Sequence, residues 1–151
     1  MKIFRETIKF KTKKSLEFID LTVRVERVLK KSRIKNGLVN IFSRHTTLAL
    51  RINEREKGIY VDFAEILEKL VPQNRYYRHN DLKIRTENLL CSEGASECLN
   101  GHAHCRHLLL GASETIPIVG GKMILGKWQR IFAIELDSGR PREVVVQAIG
   151  E

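Results

Sequence analysis

The sequence predicts an α+β fold, a largely antiparallel β-sheet or sandwich with two main helices, in a single domain spanning residues 1–151. Three observations lead there. Four strand-like runs crowd the C-terminal part, Thr115–Val119, Lys122–Leu125, Ile131–Leu136 and Glu143–Ile149, joined mainly by short turns. Two amphipathic helical patterns come early instead of alternating with strands, unlike a parallel α/β architecture. No internal repeat or low-complexity tract interrupts the pattern.

In chain order, Ile8 and Phe10 alternate with lysines in the run Ile3–Phe10, as in a half-buried strand. Asp20 or Thr22 then caps a helix whose apolar positions Leu21, Val25, Val28 and Leu29 follow three- and four-residue steps. Asn36-Gly37 ends that element with a turn. Leu38–Phe42 and Leu48–Ile52 are apolar runs with β-branched residues, and His45-Thr46-Thr47 lies between them at a strand end or bend. Ile59, Phe63, Ile66, Leu67 and Leu70 mark a second helix over Gly58–Leu70, stopped by Pro72. Residues 73–103 are polar and without sustained period, a long excursion of the kind that is usually functional or mobile. His104–Leu110 reads as a short helix ended by Gly111, and Gly120-Gly121 as the hairpin turn between the first two C-terminal strands.

The totals bound the function classes. A chain of 151 residues can bury roughly 70% of its unfolded surface. No stretch approaches the roughly 20 apolar residues of a membrane span. The opening MKIFRETIKFKTKK lacks the apolar centre of a signal peptide, so a cytoplasmic protein is expected. Cys91, Cys98 and Cys105 are an odd count without a CxxC pair, which implies neither a disulfide framework nor a zinc ribbon. The net charge of +9 predicts affinity for anions. That charge is dispersed, with no basic run beyond Lys13-Lys14 and Lys30-Lys31. It favours a solvated surface or a phosphate pocket over a nucleic-acid face.

Four of the five histidines fall in two short blocks, SRHTTLALRINE (Ser43–Glu54) and NGHAHCRH (Asn100–His107). Imidazoles titrate near neutrality and ligate metals. On an extended segment His102 and His104 would point to one side, where a divalent metal such as zinc could bridge them; on a helix, His104 and His107 become neighbours instead. Hydrogen bonding to the loop backbone is the plainer role for some of these rings. His45-Thr46-Thr47 offers two hydroxyls and two amides in one corner, either a phosphate cradle or a strand edge. Asn53-Glu54 and Asp62 are candidates to orient a histidine or to hold magnesium, with simple solvation the alternative for Asp62. His79-Asn80-Asp81 lies in the polar excursion, as a site or a capped turn. Cys105 reads as a small buried residue more than a thiolate. Trp128 either packs as core or stacks on a heterocycle beside Arg130.

With these blocks assembled, the chain resembles the YjbQ family of secondary thiamine-phosphate synthases. The resemblance extends over most of the chain. It rests on SRHTTLALRINE, Arg78-His79-Asn80, NGHAHCRHLLLGASETIPI and LGKWQRIFAIELD, in that order. It implies an α+β sandwich-like fold, a homotrimer with sites near subunit boundaries, and weak thiamine-phosphate synthase activity. The family-matching positions are His45, Thr46, Thr47, Asn53, Glu54, Asp62, Asn100, His104, Trp128 and Gln129. His79 and His102 match the subset of relatives carrying HN and NGHAH. His107 falls where relatives often have other residues, Leu82–Leu99 is longer than in many, and Leu21–Arg27 lacks acidic residues that many carry.

The implied reaction joins an aminopyrimidine-methyl pyrophosphate to a thiazole phosphate and expels pyrophosphate. It asks for a divalent ion or cations on the leaving group. The expected assignment puts His45 and His104 in a metal or phosphate centre completed by His79 or His102. Glu54 and Asp62 orient them or hold magnesium. Thr46, Thr47 and Arg130 bind phosphate oxygens. The rivals are a metal-dependent hydrolase or other phosphate-ester enzyme using the same histidines, and a non-catalytic module that binds a metabolite or nucleotide.

Overall fold

The computed structural model describes residues 1–89 and 99–151. The elements run β1 (Lys2–Lys11), β2 (Phe18–Asp20), α1 (Thr22–Ser32), β3 (Gly37–Ser43), β4 (Leu48–Glu54), α2 (Lys57–Leu70), α3 (Gly101–Leu110), β5 (Ser113–Val119), β6 (Lys122–Met123), β7 (Gln129–Glu135) and β8 (Pro141–Gly150). A five-stranded sheet has the order β1-β8-β3-β5-β6, and a three-stranded sheet the order β2-β7-β4; every pairing is antiparallel. The fold is therefore α+β with mostly antiparallel sheets, as the sequence predicts. Among the described residues no helix is long and apolar enough to cross a membrane.

Alternation explains the layers. Val39 and Ile41 of β3, Ile116 and Ile118 of β5, and Val144, Val146 and Ala148 of β8 turn inward. They meet Leu48, Leu50, Ile131 and Ala133 of the small sheet together with Val25, Val28 and Leu29 of α1. The opposite face of the small sheet, with Ala49, Phe132 and Ile134, packs under Leu67 of α2 and Ala103 and Leu110 of α3. Strand β7 is thus buried on both faces, which is why Ile131–Leu136 reads as a nearly continuous apolar run. Each fully buried Val, Leu, Ile or Phe stabilises the fold by roughly 1.5–3 kcal/mol.

The helix boundaries follow local chemistry. Asp20 Oδ1 accepts from Thr22 N at 2.9 Å, freeing the Thr22 hydroxyl to accept from Ile131 N at 2.9 Å. Neither is the cap expected from the sequence: the N-cap is Leu21, without a side-chain cap bond, because Asp20 closes a local turn ahead of the helix and the Thr22 hydroxyl is drawn to β7. At α2 the Glu56 carboxylate accepts from Gly58 N and Ile59 N at 2.7 and 2.8 Å. Helix α3 begins at Gly101, a turn earlier than the His104 start expected from the sequence. Its first amide is satisfied from outside, because Asn80 Oδ1 accepts from Gly101 N at 2.8 Å. Gly101 also sits so close to Tyr77 that a Cβ there would lie 2.7 Å from the Tyr77 Cβ.

The hairpin at Gly120-Gly121 forms as expected, with φ of 58° and 78°. Its second strand stops at Met123 instead of Leu125. Strand β2 was not foreseen, since three residues carry no readable period. Part of the polar excursion resolves into a turn at Arg78–Asn80. Cys91 and Cys98 lie outside the described residues, and Cys105 is exposed, not buried as expected.

A buried polar knot closes one end of the two sheets. Glu135 is 0% exposed and takes Arg142 in a two-point contact through Nε (2.7 Å) and Nη2 (2.5 Å). Its oxygens also accept from Thr12 Oγ1 at 2.8 Å and Asp137 N at 3.1 Å. Arg142 Nη2 reaches Thr47 Oγ1 at 3.0 Å. The knot joins the ends of β1, β7 and β8 to the bend between β3 and β4.

Two predictions follow from this packing. Glu135→Gln keeps the shape but strands the Arg142 charge, so denaturant unfolding should register a loss of roughly 3–5 kcal/mol. Arg44→Ala, which removes an exposed partner of Glu143, should cost under about 1 kcal/mol; equal losses would contradict the assignment. The second concerns His102, which is 3% exposed with neither ring nitrogen hydrogen-bonded among the described residues. Burial, reinforced by Arg106, holds its pKa below 6.5. The unfolded chain then binds more protons than the folded one as pH falls below 6.5, so stability drops with acidification. Urea midpoints measured from neutral to mildly acidic pH should fall less steeply for His102→Phe than for the wild type.

Candidate functional site

Two segments far apart in sequence are joined by neighbouring residues. His79 Nε2 lies 3.2 Å from Asn100 Oδ1, beside the Asn80–Gly101 bond. Asn100 donates its Nδ2 to Asp137 Oδ2 at 2.8 Å, and Arg140 Nη2 donates to the same oxygen at 2.6 Å. A carboxylate needs donors, so the Asn100 amide must turn its oxygen to His79, which assigns the His79 proton to Nε2. Arg85 Nη1 donates to the His79 carbonyl at 3.1 Å and stands 3.2 Å from Nε2. His104, on the first turn of α3, brings its ring centroid to 4.5 Å from that of His79, the planes inclined by 52°.

These two imidazoles line a cleft of about 570 Å³ together with Arg75, Tyr76, Arg78 and Cys105. That is the size range of small-molecule sites. Burial, with the Arg85 charge added, lowers the pKa of His79 below 6.5. Burial and the neighbouring His79 do the same for His104. Both rings are therefore neutral at pH 7 beside fixed positive charge, which suits them to accept a proton while arginines hold an anion.

The other histidines serve elsewhere. On the helix His102 turns into the protein beside Tyr77 (centroids 6.5 Å apart) and the buried Arg106, so the extended His102–His104 arrangement does not form. Arg106 donates to the Val71 carbonyl at 3.1 and 2.9 Å and ties α3 to the end of α2. His107 is half-buried, with Nε2 unpartnered among the described residues. His45 Nε2 accepts from Glu143 N at 3.1 Å, and burial followed by the Arg142 charge lowers its pKa. Thr47 is buried in the Glu135–Arg142 knot, and Thr46 is exposed beside it.

The remaining candidates gather at the far end of the small sheet. Strands β4 and β7 pair Leu48 with Glu135 at one end and Asn53 and Glu54 with Arg130 and Gln129 at the other. Six residue steps separate the ends, roughly 20 Å. At the far end Asn53 and Glu54 are exposed, and Asp62 is exposed on α2. Trp128 is 62% exposed with Lys127 Nζ 4.7 Å from its ring, so it does not pack as core. Gln129 Oε1 accepts from Gly126 N at 2.7 Å. Arg130 is engaged by Asp20 at 2.9 Å. Burial tends to raise the Asp20 pKa, but its bonds with Thr22 and Arg130 hold it below 3.8.

The expected residues thus divide between two ends of one chain. His79, Asn100 and His104 come together, with His45 and the two threonines at the same end of the sheet. Among the described residues no three His, Cys, Asp or Glu side chains converge as metal ligands. A four-donor zinc centre drawn from His45, His79, His102 and His104 does not fit within one chain. Arg75, Arg85, Asp137 and Arg140 were not foreseen. Arg75 stands in the Arg- and Tyr-rich run before His79-Asn80, but Asp137 and Arg140 reach the site only through the β7–β8 turn.

Comparison with known proteins agrees with this architecture. The family model described as "UPF0047 protein YjbQ-like" matches residues 6–151. A UPF0047 protein of Methanothermobacter thermautotrophicus is 38% identical over 151 residues, covering 100% of this chain and 95% of the relative. One from Archaeoglobus fulgidus is 40% identical over 139 residues, covering 92% and 96%. A crystal structure of a YbjQ-like protein of unknown function from Sulfolobus solfataricus P2 superimposes with a TM-score of 0.87 at 33% identity, covering 99% of each chain. From the matched span and these relatives, the chain belongs to the UPF0047, YjbQ-like family.

Proposed function

We propose that the chain is an enzyme acting on phosphorylated small molecules at the His79–His104 cleft, with thiamine-phosphate synthesis as its specific reaction. The observation that carries this reading is the pair of neutral imidazoles 4.5 Å apart beside Arg75, Arg78 and Arg85. In the synthase reaction the carbon–oxygen bond to pyrophosphate breaks as the thiazole nitrogen bonds to the methylene carbon. The barrier falls when the departing charge is met by fixed donors. Arg75 and Arg78 would supply them, His104 would bond a phosphate oxygen, and the Asn100–Asp137–Arg140 chain would hold His79 in one orientation. A magnesium ion carried in on the pyrophosphate oxygens is compatible with this donor set, since magnesium is commonly bound through substrate phosphates. A basic chain handling phosphorylated metabolites is assigned to the cytoplasm, where such compounds are confined.

The second reading, a phosphate-ester hydrolase, uses the same neutral histidines as bases for water. We further propose that the active form is a homotrimer in which the Glu54–Trp128–Gln129 end of one copy completes the histidine cleft of another. The separation of the two groups along β7 supports this. So do apolar side chains left exposed on α2, Ile59, Val61, Ile66 and Leu70, and on α3, Leu108 and Leu109.

Incubation with both synthase substrates and magnesium should form thiamine phosphate and pyrophosphate together. His104→Ala should cut that rate about 10²–10³-fold, the effect of losing one donor to the developing charge, with an unchanged circular dichroism spectrum. Under the hydrolase reading, turnover should climb as pH rises through the depressed histidine pKa below 6.5 and then level off, because the neutral rings take a proton from water, whereas the condensation moves no proton and should show no such rise. Release of phosphate from simple monoesters without condensation would favour the hydrolase, and turnover undiminished in the variant would remove the histidine cleft from the mechanism. The shared site has its own check. Light scattering should give three times the chain mass, and mixing inactive His104→Ala with inactive Trp128→Ala chains should restore part of the activity by pairing intact ends. Mixtures as inactive as their components would sink it.

A further inference from the structure

The positive charge that the sequence disperses is partly gathered by the fold. A cleft of about 490 Å³ opens between the end of α1 and the β5–β6 hairpin, with Lys30, Arg33, Lys35 and Lys122 around it and Glu26 as the one acid among its lining residues. All four cations are exposed, and among the described residues none enters an ion pair. Other surface cations do find carboxylates: Lys31 takes Glu6 at 2.8 Å and Arg44 takes Glu143 at 2.9 Å. Lys30 is accounted for by the helix C-terminus, whose partial negative charge favours a cation there. Arg33, Lys35 and Lys122 lie beyond the helix, and their mutual repulsion is relieved by an anionic partner.

The main chain holds this array in place. Arg33 caps α1 with a left-handed backbone (φ 58°), its amide donating to the Lys30 carbonyl at 3.4 Å. The Lys35 and Asn36 amides donate to the Glu151 main-chain oxygen at 2.6 and 3.1 Å, which ties this turn to the end of β8. Lys35 lies over the Gly120-Gly121 turn, since a Cβ on Gly121 would stand 3.4 Å from its Cδ and 3.6 Å from its Nζ. Arg27, also exposed, precedes Lys30 and Arg33 at three-residue steps, roughly 4.5 Å of helix rise each. The cations therefore form a track along α1 into the cleft, not a closed ring.

The surroundings of the track select its partner. The Gly120 and Gly121 amides are spent on Asn36 Oδ1 (3.4 Å) and the Lys35 carbonyl (2.9 Å), so they form no cradle for one compact phosphate. No aromatic ring lines the cleft to stack an unpaired base. Its large apolar residues are the buried Leu29 and Ile34 and the half-buried Met123, which give a bilayer no anchor. An extended line of phosphodiesters, contacted by charge without reading bases, meets all three conditions.

We propose that Arg27, Lys30, Arg33, Lys35 and Lys122 form a sequence-independent binding surface for the phosphate backbone of a nucleic-acid duplex. The surface shares no lining residue with the histidine cleft and uses none of the side chains assigned to the proposed reaction.

Fluorescence anisotropy of the full chain tests this with labelled mixed-sequence duplexes of DNA and of RNA, the matching single strands, and tripolyphosphate as competitor. At least one duplex should bind with a Kd of about 10⁻⁴–10⁻⁶ M near physiological salt. Its log affinity should fall against log salt with a slope of about −4 to −5, as five phosphate contacts require. Lys30→Ala combined with Arg33→Gly, the glycine suiting the left-handed backbone there, should reduce that slope by about two units. Lys35→Ala combined with Lys122→Ala should do the same from the other wall. Lys9→Ala combined with Lys11→Ala removes equal charge at exposed positions, at the opposite end of the β1–β8 pair from Gly150, and should leave the slope unchanged. All three variants should keep the wild-type circular dichroism spectrum. Failure of both duplexes to bind, or an equal loss of slope in the Lys9 and Lys11 variant, overturns the surface. Single strands binding as tightly as duplexes, or tripolyphosphate displacing them at equal phosphate concentration, overturns the ligand class. His104→Ala should bind as the wild type does, which separates failure of this surface from failure of the proposed reaction.

Discussion

The buried Glu135–Arg142 pair is the constraint around which the rest is arranged. Two charges without solvent are tolerable only when every oxygen and most guanidinium hydrogens find partners. Here Thr12, Thr47 and the Asp137 amide supply them from different parts of the chain. Satisfying that pair fixes where β1 ends, how the β3–β4 bend is folded, and how the chain leaves β7. The turn after β7 then delivers Asp137 and Arg140 to Asn100, and through Asn100 to His79. The site's orientation is inherited from a structural ion pair one strand-end away.

Helix α3 links this anchor to the second core. Its buried face, Ala103, Arg106 and Leu110, packs toward α2 and β7, while its N-terminal turn carries His104 to the cleft. Three histidines in six positions therefore divide into three environments. His104 meets His79, His102 is enclosed without a hydrogen-bond partner among the described residues, and His107 is half-buried. A helical period of 3.6 residues rotates His102 and His104 by roughly 200° from one another, which is why an alternating pair does not become a shared centre.

Much of the fold was readable in advance, because strong alternation and strong amphipathicity are local signals. The two long helices, the outer strands and the Gly120-Gly121 hairpin all rest on such signals. The short strand β2 and the early start of α3 rest on partners instead, β7 for the first and Asn80 with Tyr77 for the second. The sequence placed the candidate site residues in short polar blocks but had no means of measuring the span of the β4–β7 pair that separates those blocks. That pair puts Asn53, Glu54, Trp128, Gln129 and Arg130 at one end and His45, Thr46 and Thr47 at the other.

The sequence by itself determined most of the elements, the antiparallel class and the polar, histidine-bearing blocks, since each depends on periodicity or composition within a few residues. Tertiary structure alone decided which histidines meet, which threonine is buried in an ion-pair network, and which arginines face the cleft. Those outcomes depend on contacts between residues tens of positions apart, where desolvation and hydrogen-bond satisfaction, not local propensity, select the arrangement.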